Sequence, residues 1–110
     1  MVQSKAELFD SKLSGMAGVF KTLGHPARIQ ILHFLAETDT CIMGDISDDL
    51  PLGRTTVNQH LKELKDAGLI AGHIEGVTTR YCLVPEKIEE IREIMRDFIE
   101  SIKLDNYTCG

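Results

Sequence analysis

The chain has 110 residues, 43% of them hydrophobic, which predicts a single domain over residues 1–110 with a small core. Its formal net charge of −5 argues against a nucleic-acid partner, because nucleic-acid-binding domains are usually basic. Because no apolar run approaches the roughly 20 residues of a membrane span and no signal peptide opens the chain, we expect a cytoplasmic protein without a membrane partner.

Apolar residues spaced three and four apart predict that the chain opens with two helices. The first helix is expected over about residues 4–23, and Gly24 ends it. Pro26 suits the first turn of the second helix, where its missing N–H breaks no hydrogen bond, and His25 is interpreted as part of the helix start. The second helix is apolar over most of its circumference, so we expect it at the centre of the domain.

A helix-turn-helix is predicted next. A short third helix is expected over Met43–Leu50, and the helix-breaking segment Pro51–Gly53 separates it from a fourth helix. The fourth helix should begin near Arg54 and end near Ala67, where a glycine follows. The predicted helix-turn-helix therefore covers about residues 43–67.

A β-hairpin and a last helix complete the chain. Strand-like residues within about 69–84, joined by the turn Glu75-Gly76, predict two strands. Pro85 closes the second strand and opens a last helix of about residues 86–104. A lone hairpin is barely stable, so we expect it to lie against the helices as a wing. The predicted fold class is mainly α with a two-stranded β-hairpin, a winged helix-turn-helix in the order ααααββα.

The fourth helix has an apolar stripe and an opposite polar face on a helical wheel. The polar face carries hydroxyl and amide groups near the helix N-terminus, and such groups can hydrogen-bond base edges in the major groove of DNA. A lysine follows, and lysines suit phosphates. This face consists of Thr55, Gln59 and Lys62, with Thr56 and Asn58 on its flanks. The alternative is an ordinary helix that exposes polar residues to solvent.

The distribution of charge supports a DNA-binding face despite the acidic total. Residues 54–80 contain four bases against three acids, whereas residues 86–105 contain seven acids against four bases. The acidity is therefore concentrated away from the proposed face. The bases of the first segment are Arg54, Lys62, Lys65 and Arg80. Arg54 and Lys62 lie on the helix itself and join the candidate DNA contacts.

Two segments resemble one family of regulators. The sequence KTLGHPARIQIL, Lys21–Leu32, is similar to the second-helix signature of the arsenic-repressor (ArsR/SmtB) family of bacterial regulators. The sequence TTVNQHLKELKDAGLI, Thr55–Ile70, resembles that family's recognition helix and its exit into the wing. The resemblance covers nearly the whole chain. It implies a homodimer that represses genes for handling a toxic metal or metalloid and releases its double-stranded operator DNA when that ion binds.

The same resemblance implies which side chains contact DNA. The residues at base-reading positions are Thr55, Thr56, Asn58, Gln59 and His60. Arg80 takes a position in the wing near the minor groove. His60 borders the apolar stripe on the helical wheel, so packing beneath the helix and contact with DNA both remain open interpretations.

The last helix carries more apolar residues than one small domain needs. These residues recur in steps of three and four, as do those of the first helix, and such a surface suits pairing between helices. They are Ile88, Ile91, Ile94, Met95, Phe98, Ile99 and Ile102. We expect a symmetric homodimer through the first and last helices, because paired recognition helices increase affinity for DNA. Packing within one chain is the alternative.

Three separated cysteines are the candidate sensor: Cys41, Cys82 and Cys109. The last helix contains no histidine, which argues against the zinc site that some family members hold there. Cys41 also lacks the close second cysteine of many arsenic-sensing members. It is expected at the start of the third helix, where the helix dipole favours a thiolate. Cys82 is expected to point away from whatever Tyr81 and Leu83 bury.

Three interpretations of these thiols stay open. In the first, trivalent arsenic or antimony, inorganic or organic, is the inducer and bridges two or three of the thiols, and no obligatory cofactor is needed. In the second, two thiols form a regulatory disulfide that senses oxidants or reactive sulfur. In the third, the cysteines are small apolar residues, and the inducer is different or absent.

Two other classes of protein fit the sequence less well. A cysteine hydrolase needs a thiol, a histidine and an orienting group in a cleft, and no such set marks this chain, so we expect no enzyme. A protein-interaction module on a winged-helix scaffold is the remaining alternative, since a fold does not determine a function. That alternative predicts no sequence-specific binding to DNA.

Overall fold

The computed structural model describes residues 8–38, 42–43 and 50–110, and describes residues 42–43 for their backbone only. These residues form four helices and three strands. In chain order they are α1 (Ser11–Leu23), α2 (Pro26–Glu37), β1 (Ile42–Met43), α3 (Arg54–Asp66), β2 (Ile70–Glu75), β3 (Thr78–Leu83) and α4 (Pro85–Ser101). The arrangement is a winged helix-turn-helix, which confirms the predicted fold class.

α1 begins later than the apolar spacing predicts. Asp10 is its N-cap, and the Asp10 carboxylate accepts a hydrogen bond from the backbone N–H of Lys12 at 2.9 Å. Leu8 and Phe9 precede the helix, and their side chains are exposed. The predicted start is therefore wrong by several residues, because the aspartate cap sets the boundary although the apolar spacing continues before it. The residues before Leu8 lie outside the described part of the chain.

α2 lies at the centre of the domain, as predicted. His25 is its N-cap, and His25 Nδ1 accepts a hydrogen bond from the Ala27 backbone N–H at 3.1 Å, while Pro26 opens the first turn. Ile31 and Leu35 are 0% and 2% exposed within the core cluster. Burying a side chain of this size stabilises the fold by about 1.5–3 kcal/mol. α2 also contacts α1, α3 and β3, so it provides much of the surface on which they pack.

The region predicted as the third helix contains a strand. β1 pairs antiparallel with β3, with Ile42 opposite Tyr81 and Met43 opposite Arg80. The predicted third helix is therefore wrong at its first residue, and residues 44–49 lie outside the described part. A strand of two residues is too short to show a period of two, so the sequence pattern does not reveal it.

β2 and β3 form the predicted antiparallel hairpin, and β1 extends it to a sheet with the order β1-β3-β2. Gly76, at φ +63°, supplies a left-handed residue for the turn at the wing tip. Gly68, at φ +83°, ends α3, and the Leu69 N–H then donates to the Leu64 carbonyl at 3.0 Å. This tight exit carries the chain directly into buried Ile70 and sets the wing beside α3.

One core joins α2, α3, the sheet and α4. Its buried residues are Ile31, Leu35, Leu50, Val57, Leu61, Leu64, Leu69, Ile70 and Ile91. Ile91 is the one residue that α4 contributes to this buried set, and the other apolar side chains of α4 are half-buried or exposed. None of the described helices is both long and apolar enough to cross a membrane.

Candidate nucleic-acid interface

α3 presents a polar face to solvent and an apolar face to the core. Val57, Leu61 and Leu64 are 1%, 3% and 0% exposed and form the apolar face. The N-cap, Gly53, has no side chain with which to cap the N–H groups of the first turn. The predicted DNA contacts that α3 exposes are Arg54, Thr55, Thr56, Asn58, Gln59 and Lys62.

Two of these exposed side chains form hydrogen bonds with acidic residues one turn further along α3. Gln59 Nε2 donates to Glu63 Oε1 at 3.2 Å, and Lys62 Nζ donates to Asp66 Oδ2 at 3.3 Å. Both contacts are solvent-exposed, and exposed pairs at this helical spacing contribute between about 0 and 1 kcal/mol. A base edge or a phosphate can therefore replace either acidic partner with little loss of stability.

His60 faces the core, unlike the other candidates on α3. It is 7% exposed, and its Nδ1 accepts a hydrogen bond from Arg28 Nε at 3.1 Å. Its ring packs against the ring of His25, with the centroids 4.2 Å apart. Burial lowers the pKa of His60, the neighbouring His25 and Arg28 lower it further, and Glu63 opposes them. This placement favours the packing interpretation of His60 over base reading.

The sequence analysis missed Arg28, although this residue connects two of the helices around the interface. Its Nη1 donates to the Thr22 carbonyl in α1 at 3.1 Å, while its Nε reaches His60 in α3. The available signal is an arginine within a largely apolar helix, because a charged side chain is seldom buried without a partner. That signal does not identify the partner.

The wing carries Arg80 in the body of the sheet and apolar residues near its tip. Arg80 lies opposite His73 in the β2–β3 register, and its Nε is 3.5 Å from Glu75 Oε1. This contact is an ion pair without a hydrogen bond, because Arg80 Nε has no hydrogen-bond partner among the described residues. Ile74 and Val77 are 82% and 103% exposed. Ile74 and Val77 flank the turn that the sequence predicts at Glu75-Gly76, and this position beside a turn is the sequence feature that indicates an apolar wing tip.

The cysteines within the described ranges differ in their bonding. Cys82 is half-buried on β3, lies opposite Ala71 of β2, and is joined in a disulfide. Cys109 is exposed and free, with its Sγ 3.7 Å from the Tyr107 hydroxyl oxygen. Cys41 lies outside the described residues. Over residues 8–38, 42–43 and 50–110, no three His, Cys, Asp or Glu side chains form a group that could hold a metal ion.

A helix with an exposed polar face beside a β-hairpin defines the class of winged helix-turn-helix proteins that bind DNA. Residues 25–71 match the family described as bacterial regulatory protein, arsR family. Rv0081 of Mycobacterium tuberculosis, named an uncharacterized HTH-type transcriptional regulator, is 34% identical over 89 residues, which are 81% of this chain and 78% of that protein. The chain therefore belongs to the arsR family of bacterial regulatory proteins. Its relatives are transcriptional regulators and not enzymes.

Solved structures and a further relative extend this likeness beyond the matched segment. The crystal structure of Rv0081 has a TM-score of 0.63 and 28% identity, and covers 86% of this chain and 94% of that one. The structure of reduced HlyU from Vibrio cholerae has a TM-score of 0.60 and 30% identity, with coverages of 78% and 92%. The cadmium resistance transcriptional regulatory protein CadC of Listeria innocua is 27% identical over 100 residues, 91% of this chain and 84% of that protein.

Proposed function

We propose that the protein is a transcriptional repressor that binds double-stranded operator DNA as a homodimer and releases it when an inducer acts on Cys82 and a second cysteine. The exposed polar face of α3, set beside an exposed wing, carries the DNA-binding half of this proposal. The disulfide of Cys82 supports the sensing half, because it requires a second sulfur within bonding distance.

The chemistry of the α3 face suits direct reading of bases. The amides of Asn58 and Gln59 can bond adenine with two hydrogen bonds, and the hydroxyls of the adjacent threonines can pair with any base. Arg54 and Lys62 suit phosphates, which determine the position of the helix on the duplex. Arg80 is available to the DNA backbone or minor groove when its ion pair with Glu75 opens.

Exposed apolar side chains on α1 and α4 support the homodimer. Phe20 of α1 and Phe98 of α4 pack edge to face with ring centroids 5.2 Å apart, so the two helices meet at this point. On these helices Leu13 and Ile99 are 52% and 63% exposed, and Ile102, which follows α4, is 52% exposed. A second copy that covers these side chains gains about 25 cal/mol per Å² of apolar surface and brings two recognition helices to one operator.

We infer that the second cysteine is Cys41. Cys109 is free, and Cys41 is the remaining cysteine of the sequence. The β1–β3 register pairs Ile42 with Tyr81, and these two residues are the sequence neighbours of Cys41 and Cys82. Opposed residues on antiparallel strands have Cα atoms about 4.5–5.5 Å apart, within the roughly 4.4–6.8 Å that a disulfide needs. Because Cys41 lies outside the described residues, this pairing is part of the proposal.

Two thiols at that spacing suit trivalent arsenic or antimony as the inducer. Thiolates are soft ligands that select soft ions. Two thiolates leave the third position of a pyramidal arsenic open to a carbon substituent, which favours an organic arsenical. An inorganic ion held by three thiolates requires Cys109 to join the pair. The likeness to CadC, a cadmium resistance regulator, supports a soft-ion inducer.

Oxidation is the second candidate, and the disulfide of Cys82 is the observation that favours it. In this reaction one hydrogen peroxide and two thiols give one disulfide and two waters, so the peroxide is reduced as the sulfurs are oxidised. The likeness to HlyU, solved in a form described as reduced, supports a redox inducer.

Either inducer can influence DNA binding through β3. Cys82 lies two residues from Arg80 on this strand, and β3 pairs with both β1 and β2. A bond from Cys82 to a second cysteine restrains β3 and so restricts how the wing lies beside α3. For a nearly complete switch, the inducer must favour the form that fits DNA badly by about 5.5 kcal/mol.

Fluorescence anisotropy of the reduced protein on a duplex from its own promoter tests both halves of the proposal. We expect phenylarsine oxide to release wild-type protein near one equivalent per chain, and Cys82→Ser to stay bound. Cys109→Ser is the matched control and should release as wild type does. Titrations with arsenite and hydrogen peroxide distinguish a three-thiolate site and a redox switch from a two-thiolate site.

Each outcome of this experiment decides one element of the proposal. Release by peroxide alone, reversed by dithiothreitol, would replace the metalloid by the redox inducer. Tight operator binding that ignores all three compounds would contradict the sensor at Cys82. Equal affinity for promoter and scrambled duplexes would contradict the repressor and leave the protein-interaction module.

A further inference from the structure

One guanidinium connects the helices around the DNA-reading helix. Arg28, in the first turn of α2, donates from Nη1 to the Thr22 carbonyl in α1 and from Nε to His60 Nδ1 in α3, each at 3.1 Å. Arg28 is half-buried and His60 is 7% exposed, so water competes little with these hydrogen bonds. The contact with His60 joins the start of α2 to the middle of α3.

His25 holds the same histidine from a second side. The rings of His25 and His60 pack with their centroids 4.2 Å apart and their planes inclined at 46°. His25 is itself held in place, because its Nδ1 accepts a hydrogen bond from the Ala27 N–H as the cap of α2. The first turn of α2 therefore contacts one side chain of α3 on two sides.

α3 also packs into the core through an apolar face. Val57, Leu61 and Leu64 belong to the buried cluster. Apolar packing is not directional and tolerates a small rotation of α3 about its axis, whereas a hydrogen bond weakens steeply as its angle departs from linear. Side chains extend outward from the helix axis, so a small rotation of α3 moves the polar face relative to a base edge.

We propose that Arg28 and His60 are positioning residues for DNA recognition: their hydrogen bond sets the rotation of α3 about its axis and so aims Gln59 and its neighbours at the base edges. Neither side chain touches DNA in this role. The inference rests on the proposed operator binding, and it assigns the orientation of the reading face to one polar contact between α2 and α3.

The contact exists in one protonation state of His60. Because Nδ1 accepts from Arg28, the neutral ring carries its proton on Nε2. The charged and titratable groups that face His60 are His25 and Arg28 from α2 and Glu63 from α3. Burial, His25 and Arg28 lower the pKa of His60, which favours the neutral form at neutral pH. A protonated His60 cannot accept the Arg28 N–H and adds a cation beside it, so acid breaks the contact.

The direction of the pH effect distinguishes this contact from general electrostatics. Any general gain of positive charge toward acid pH by itself strengthens binding to DNA phosphates, whatever their sequence. Loss of the Arg28–His60 contact instead lowers the preference for operator over other sequences. The informative quantity is therefore the ratio of the affinities for the two kinds of DNA.

The test measures this ratio on a promoter duplex and a scrambled duplex, by fluorescence anisotropy of the full chain from about pH 8 to about pH 5.5. In wild type the ratio should be highest at about pH 8 and should fall as His60 takes up a proton toward acid pH. Arg28→Lys keeps the charge and loses the forked geometry, so its ratio should be low even at about pH 8. His60→Leu removes the Nδ1 acceptor of the Arg28 hydrogen bond, so its ratio should also be low at about pH 8.

A conservative variant separates positioning from stability. His60→Asn keeps an acceptor near the place of Nδ1 and does not titrate in this range. It should retain most of the wild-type ratio at about pH 8 and lose the pH dependence. His73→Asn, on the wing, is the matched control and should keep both the ratio and its pH dependence.

Two results would overturn the inference: an unchanged ratio in Arg28→Lys, or equal losses on both duplexes with a lower thermal midpoint. The last of these would reduce the contact to a stabilising one. Wild-type protein without operator preference at about pH 8 would contradict the proposed function itself. That failure is distinguishable because it appears before any substitution is made.

Discussion

Gln59 and His60 are neighbours in α3 that face different environments. Gln59 is exposed, and its Nε2 donates a hydrogen bond to Glu63 Oε1 at 3.2 Å. His60 is 7% exposed and accepts a hydrogen bond from Arg28. A helix of 3.6 residues per turn directs consecutive side chains about 100° apart, so adjacent residues reach different surroundings. The proposed base-reading residue Gln59 and the proposed positioning residue His60 therefore lie next to each other in the chain but on different faces of α3.

Gln59→Ala should weaken binding to the promoter duplex by about 1–3 kcal/mol, because the proposed role of this amide is to form two hydrogen bonds with one base. Binding to a scrambled duplex should change little. Lys62→Ala is the informative comparison. The loss of a lysine that binds a phosphate weakens binding to both duplexes alike and makes the affinity less dependent on salt. Fluorescence anisotropy at several salt concentrations measures both effects. An unchanged promoter affinity would remove Gln59 from the base-reading residues.

The stability of the protein should depend on pH through His60. Its pKa is lowered, first by burial and then by His25 and Arg28, whereas the unfolded chain keeps the usual pKa of about 6.5. The unfolded state thus binds this proton more readily, and the free energy of unfolding falls as the pH drops below about 6.5 toward the folded pKa. Above about 6.5 this contribution is fully retained.

Urea unfolding at about pH 7.5 and about pH 5.5 measures this dependence. The difference between the two pH values should be larger in wild type than in His60→Asn, which keeps every other titratable group. Equal differences in the two proteins would show that another group controls the acid response.

The boundaries of the elements follow from single residues at their ends. Asp10 caps α1, His25 caps α2, and Gly68 ends α3 in a left-handed conformation at φ +83°. The glycine at the end of α3 is visible in the sequence because few other residues adopt that conformation without strain. The later start of α1 is less visible, because the apolar residues Leu8 and Phe9 continue the helical spacing before the cap.

Gly68→Ala should lower the free energy of unfolding by about 1–2 kcal/mol, because an L residue is strained at this φ. A Cβ there would lie 3.8 Å from the Lys87 side chain, an ordinary contact, so the expected effect comes from the backbone and not from a clash. Gly18→Ala is the matched control. A Cβ added at Gly18 in α1 would meet no described atom within 4 Å apart from its chain neighbours and its own helix backbone, so this substitution should raise stability by up to about 1 kcal/mol.

Thermal or urea unfolding distinguishes the two glycines by the sign of the change. A stabilising effect of Gly68→Ala would contradict the proposed role of this residue in directing the chain from α3 into β2.

At the scale of the whole molecule, one chain leaves apolar surface uncovered on α4 and in the segment that follows it. Ile99 and Ile102 are 63% and 52% exposed, whereas Ile91 on the same helix is 7% exposed in the core. The same helix therefore contributes to the core with one side and leaves the other side available for a second copy.

Ile99→Glu should weaken the proposed homodimer. In the dimer the second copy would remove this apolar surface from water, and burying an unpaired charge there costs free energy. Sedimentation velocity at several protein concentrations measures the association. Lys65→Gln changes the net charge by the same amount on α3 and is the control, which should leave the dimer intact. Operator affinity should fall together with dimerisation in Ile99→Glu. An unchanged sedimentation profile would indicate that the dimer forms through another surface.

Much of the architecture and of the exposed face of α3 could be predicted from residues that are close along the chain. Helical spacing, the glycine at the end of α3, and the glycine at the wing turn each express backbone geometry within a few residues. The same periodicity placed the polar face of α3 opposite its apolar stripe. The two-residue strand β1 could not be predicted, because its pairing with β3 and not its own composition makes it a strand.

The sequence by itself determined that α1, α2, α3, α4 and the wing form and which side of α3 meets solvent, because their spacing is set by local backbone geometry. Only the tertiary structure decided which distant residues meet. Arg28 reaches His60 across 32 positions of sequence, and Cys82 is joined in a disulfide that no spacing indicates. Such contacts depend on how the elements pack against one shared core, and a periodic pattern contains no information about that packing.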